Sequence, residues 1–122
     1  MKEALKKRTK IFAHDCVKIT GLFPNNYLAN HIKGQLIRCS TSVAANYRAT
    51  CIAQSKASFI AKISIVIEEV DESNFWLEFV LDENIIQGNK VDLLIKESSE
   101  LIAIFMASRK TASKKQSIFN NK

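Results

Sequence analysis

The chain has 122 residues, 47% hydrophobic and 25% charged, with a formal net charge of +6, the proportions of one globular domain. Three Gly and one Pro are too few turn residues for a many-stranded sandwich or barrel, so an all-helical chain with few connections is expected. No run approaches the ~18 apolar residues of a membrane span, and the longest late in the chain, Leu101 to Met106, is six residues.

A basic start, Lys2, Lys6, Lys7, Arg8 and Lys10, leads directly into Asp15 and Lys18, which interrupt any signal-peptide apolar region. Three Cys without a secretory signal read as reduced thiols, and a cytoplasmic protein with no membrane partner is expected. Charge is unevenly placed: residues 1–62 balance at +9, residues 63–108 at −8 and the last fourteen at +5. Such asymmetry points either to a polyanionic partner for the basic parts or to self-association of basic with acidic surfaces; solvated faces that merely differ in sign are the alternative.

Helical periodicity divides the chain into four. Leu5, Phe12, Cys16 and Ile19 fall on one side of a first helix, with Lys7, Lys10, His14 and Lys18 on the other. Gly21 and Pro24 end it, and Asn25 or Asn26 can cap a second helix beginning near Tyr27 and running to about Ala53. That helix presents Leu28, Ile32, Leu36, Cys39, Val43 and Tyr47 along one face. The short connection makes the two antiparallel.

Ser55 caps a third helix that continues to Leu81 without Gly or Pro, about 40 Å at 1.5 Å per residue. Phe59, Ile63, Val66, Val70, Leu77 and Leu81 form its inner seam, while Ile65, Phe75, Trp76 and Phe79 form a second apolar group roughly opposite. A bundle helix needs one buried stripe, so the second is read as a subunit interface, the alternative being one slanted core. Asn84 to Gly88 forms a loop, and Asn89 with Asp92 resembles a capping box for a fourth helix built on Val91, Leu94, Ile95, Leu101, Ile102 and Phe105. The expected architecture is an antiparallel up-down-up-down four-helix bundle over residues 1–108, followed by a basic, disordered tail over 109–122.

Catalytic and metal patterns are not apparent. His14 and Cys16 point to different sides of a helix, Cys39 and Cys51 lack a Cys-x-x-Cys partner, and neither His14 nor His31 follows a Glu at the Glu-x-x-His spacing of di-iron bundles. There is no Gly-rich phosphate loop. A protein without enzymatic activity, metal or cofactor is expected. One polar set stands out: Gln35, Arg38, Ser42 and Asn46 border the apolar face of helix two, and Glu68, Glu69 and Glu72 on helix three are candidate partners for the guanidinium. An interhelical network that fixes register is expected, with direct ligand or nucleic-acid contact as the other reading.

These residues carry a resemblance. Gln35-Leu36-x-Arg38, Ser42-Val43-x-x-Asn46, Ser55-Lys56-x-x-Phe59-Ile60 and Glu72 are similar to the motif of the bacterial four-helix-bundle proteins encoded in intervening sequences of 23S ribosomal RNA genes, often labelled ribosomal proteins. The resemblance covers about residues 5 to 108. Many members continue from the Asn with Ile-Ala-Glu-Gly, where this chain has Tyr47-Arg48-Ala49-Thr50, so no role of that Glu or Gly carries over. The resemblance implies the up-down-up-down bundle and pairs Arg38 with Glu72. In relatives that are accessory proteins of diversity-generating retroelements, it also implies a pentameric barrel whose basic surface binds nucleic acid and a reverse transcriptase, a partner expected here only if the gene lies in a retroelement.

Two functions follow as expectations. In the first, a homo-oligomer binds RNA or DNA phosphates through Lys7, Lys10, His14 and Lys18, helped by Lys6, Arg8, Arg48 and the tail lysines. In the second, the protein is a scaffold or interaction module that assembles by charge-complementary and apolar subunit contacts.

Overall fold

The computed structural model describes the backbone of residues 1–120 and the side chains through Lys114; the tail's last residues lie outside the described ones. Four helices follow in order, α1 (Lys2–Thr20), α2 (Tyr27–Cys51), α3 (Lys56–Asp82) and α4 (Lys90–Asn120). Each stop and start has a local cause. The Asn26 side chain accepts from the Ala29 N–H at 2.8 Å and Ser55 accepts from the Ser58 N–H at 3.0 Å, satisfying amides that have no partner inside the first turn.

At the end of α3, Asn84 takes φ 53°. That left-handed residue lets the Ile85 N–H reach the Val80 carbonyl at 3.0 Å and the Asn84 N–H the Leu81 carbonyl at 3.1 Å, the paired bonds of a Schellman stop. Gly88, at φ 98°, completes the turn into α4. Its first backbone bond, Leu93 N–H to the Asn89 carbonyl, starts the helix at the position anticipated from sequence.

Neighbours pack in the cycle α1–α2–α3–α4, with α4 returning to α1 along the least extensive seam. Short connections between long antiparallel helices produce this square bundle, and the expected architecture is the observed one. Its axis is filled by Leu5, Phe12, Cys16 and Ile19 from α1 and by Ile32, Leu36, Cys39, Val43 and Tyr47 from α2. Ile63, Val66, Val70, Leu77 and Val80 of α3 meet Val91, Leu94, Leu101 and Phe105 of α4. On α3, Val80 takes the core position and Leu81 the margin, and Ser73 fills the gap between Val70 and Leu77.

The buried hydroxyls are satisfied within their own helices. Thr9, Thr50 and Ser73 donate to carbonyls four residues back, and Thr20 and Ser98 to carbonyls three back, so each enters the core without an orphaned polar atom. Among the described residues no helix is long and apolar enough to cross a membrane.

Helix α4 extends beyond residue 109, where the sequence placed the start of the tail. α4 runs on to Asn120, Arg109 donates to the Ser64 hydroxyl at 3.2 Å, and Ala112 is buried. The first turns of α3 continue alongside this segment and give it a packing partner, which weak apolar periodicity did not reveal.

Candidate functional site

Between the outer edges of α1 and α2 lies a groove of about 990 Å³. Its floor is short and apolar, from Ala13, Ala44 and Ala45; Lys7, Lys10 and His14 stand on one wall and Arg48 on the other. The stripe arises because residues three and four apart share a helix face, and Arg48 joins it because α2 returns antiparallel beside α1. Lys7, Lys10, His14 and Arg48 are exposed, and among the described residues none of them is in a salt bridge. Lys18 lies farther along α1, beside a smaller cleft of about 300 Å³ that also takes in Asp15, Lys90, Leu22 and Leu93.

Two residues expected in this set behave differently. Arg8 is committed to α4: its Nε donates to Glu97 Oε2 at 2.8 Å, and its Nη2 to Glu97 Oε1 at 2.6 Å and Glu100 Oε2 at 2.7 Å. The bidentate Glu97 bond first, then the two carboxylate charges, raise the guanidinium's pKa, so Arg8 closes the light α1–α4 seam and is not part of the basic stripe. Lys6 lines the groove but pairs with Glu3 at 3.1 Å. The Arg8 cluster could be half-seen in sequence, since Glu97 and Glu100 present two carboxylates on one helix face; matching them to Arg8 requires the α1–α4 register.

The polar set on α2 divides in two. Arg38 bonds Glu72 and reaches Glu69 at 3.4 Å, and Glu72 also accepts the Trp76 indole N–H at 3.2 Å. This group is superficial, with half the Arg38 side chain exposed. The three-methylene stem of Arg38, reaching from α2, lets the guanidinium meet the α3 carboxylates at the rim without entering the core. Ser42 and Asn46 do not join it: Asn46 Nδ2 donates to the Ser42 hydroxyl at 2.8 Å and carbonyl at 3.0 Å on their own helix. Gln35 is half-buried one turn before Cys39.

Next to Arg38 the expected interface residues form an aromatic cluster. Phe75 and Trp76 meet edge to face at 5.0 Å, Trp76 and Phe79 at 5.9 Å, and His31 of α2 approaches Trp76 at 5.6 Å. Phe75 and Ile65 are exposed, whereas Trp76 and Phe79 are half-buried against the core margin. The second apolar group is therefore partly core rim and partly open surface.

The Arg38 hydrogen bond holds the Glu72 carboxyl below the usual glutamate value; partial burial opposes this and the Trp76 bond reinforces it. A carboxyl lowered in the native state contributes stability in full above the unfolded value of about 4.3 and loses it as pH falls through the native value. Trp76 is the sole tryptophan, so its emission should change in that acidic window, below the range of ordinary glutamates. Glu72→Gln should remove the transition, and an unaltered titration in that variant would show that Glu72 does not govern Trp76. Arg38→Ala should shift the transition upward while barely moving the thermal midpoint at neutral pH.

Cys16 and Cys39 are buried, and desolvation raises both thiols, with Cys39 also held 3.2 Å from the Ser73 hydroxyl. Neither is poised as a thiolate. Among the described residues no three His, Cys, Asp or Glu side chains gather as a metal-holding group.

Residues 2–107 match the family model described as 23S rRNA-intervening sequence protein. Among solved structures the chain is similar to a protein with unknown function from the S23 ribosomal protein family of Bacteroides thetaiotaomicron VPI-5482. The TM-score is 0.80 at 27% identity, over 90% of this chain and 99% of that one. No curated protein matches the chain. The Arg38–Glu72 pair that the motif implied is present in the bundle that the motif implied, and with a match spanning all four helices the chain belongs to the 23S rRNA-intervening sequence protein family.

Proposed function

We propose that the protein is a non-enzymatic homo-oligomer that binds RNA or DNA along the α1–α2 groove. The observation that carries this reading is the convergence of Lys7, Lys10, His14 and Arg48 from two helices onto one groove, with no salt bridge to any of them among the described residues. The lysine and arginine side chains of this row neutralise phosphates and release counterions, contacts that carry no sequence information. The short Ala floor lets a sugar–phosphate backbone approach both walls, and no Phe, Tyr or Trp lines the groove to stack on a base. Lys18 extends the positive edge toward the far end of α1.

Self-association is supported by Ile65 and Phe75, apolar side chains left exposed on α3. A pentamer is the assembly that the family resemblance suggests, and a reverse transcriptase enters as partner only in a retroelement setting. The proposed setting is the cytoplasm, where three cysteines without a secretory signal stay reduced.

Binding of fluorescent RNA and DNA duplexes of unrelated sequence, measured over a salt series, tests the reading. Affinity should fall linearly in log K against log salt, equally for all sequences, while light scattering shows one unchanged oligomer. No binding at low salt would leave the scaffold role as the better account.

A further inference from the structure

The bundle lacks a fourth helix at one end. Arg8 of α1 pairs with Glu97 and Glu100 of α4, so in an antiparallel pair of equal rise Met1 stands level with about residue 105 of α4. From there α4 continues beside α3 and the α2–α3 connection only. The place α1 does not reach is a groove of about 890 Å³. Phe59 and Ile104 give it apolar walls, and Ala53, Ala107, Ser108 and Thr111 keep its floor low enough for a helix to lie close. Ile52, the chain neighbour of the lining residue Ala53, is 76% exposed. Lys56 lines the groove, Lys2 is held at its mouth by a 3.3 Å bond to the Cys51 carbonyl, and Lys114 follows Ala107 and Thr111 on the same face of α4. No carboxylate lines it among the described residues.

The chain carries the complement elsewhere. Glu68, Asp71, Phe75, Glu78 and Asp82 follow one another at steps of three and four along α3, a stripe of about 21 Å. All five are exposed, Phe75 at 52%. The two inner carboxylates, Glu69 and Glu72, are taken by Arg38, and the four outer ones are in no salt bridge among the described residues. Between Glu68 and Asp82 there is no Lys or Arg.

We infer that the end groove of one copy receives the acidic α3 stripe of a second copy, with Phe75 against the apolar walls and the carboxylates beside Lys2, Lys56 and Lys114. The two surfaces are different patches of the same chain, so the contact is head-to-tail and repeats into a ring where the rotation closes. Opposite charges at the rim set register and orientation, and the apolar centre excludes water. The α1–α2 groove remains outside the contact. The inference rests on the homo-oligomer reading above and names the two faces that build it.

Charge exchange tests it in the full chain. Glu68→Lys with Glu78→Lys, and separately Lys56→Glu with Lys114→Glu, should each reduce the light-scattering mass at micromolar concentration to one 13.8 kDa chain with helical circular dichroism unchanged. All four substitutions in one chain should restore assembly. Ala107→Trp, which fills the groove without altering charge, should also give monomer. If both charge-reversed proteins keep the wild-type mass, this pairing of faces is overturned while the homo-oligomer stands. A monomeric wild type overturns both. Loss of nucleic-acid affinity in the lysine variant with assembly intact would identify the groove as a nucleic-acid surface and overturn the inference.

Discussion

Phe105→Ala is expected to lower the unfolding free energy by about 3–5 kcal/mol, the range for removing a fully buried aromatic ring. Phe105 has no solvent exposure and packs on Tyr47, ring centroids 5.1 Å apart, joining α4 to α2 across the bundle axis. Two effects add: apolar surface is lost from the core, and the cavity left among long helices cannot close without shifting one of them. Tyr47 would also lose a wall of the environment whose burial raises its phenol pKa. A domain of this size holds only about 5–15 kcal/mol in total, so the variant should unfold at much lower urea. Phe105→Leu, closer in volume, should cost considerably less. Equilibrium denaturation checks both, and an Ala variant within about 1 kcal/mol of wild type would mean that this layer is loosely packed.

Replacing Lys7, Lys10 and Arg48 together by Gln should produce the largest change in binding. Each phosphate contact on duplex DNA contributes about 0.9 to the slope of log K against log salt, so the triple variant should have a slope shallower by up to about 2.7 and its largest affinity loss at low salt. The loss should be the same for unrelated sequences, because phosphate contacts carry no sequence information. Thermal stability should hardly change, since these side chains are exposed and tie no helices together. Arg8→Gln is the contrasting control: it breaks the Glu97 and Glu100 bonds and should lower stability while leaving the salt slope intact. A triple variant with wild-type slope would move the phosphate site to Lys18 or to the lysines of α4.

What the amino-acid order determined by itself is what short-range geometry dictates. Helix ends were legible because a cap acts within three residues, as at Asn26 and Ser55, and core faces because apolar spacing repeats with the helix, as from Ile32 to Tyr47. The Arg38–Glu72 partnership was legible through the family motif. The alignment of Lys7, Lys10 and His14 on one face needed only α1, whereas their lack of salt-bridge partners among the described residues was decided by the tertiary structure. Tertiary structure decided everything that depends on how far one helix extends beside another. It sent Arg8 to Glu97 and Glu100, kept Arg38 at the surface, brought Arg48 to the α1 stripe and prolonged α4 past residue 109. The uncovered end beside Phe59 and Ala107 is the plainest case. No residue there is unusual, and the groove exists because α4 outruns α1 by several turns once the Arg8 register is set, a quantity that periodicity, a property of one helix at a time, does not contain.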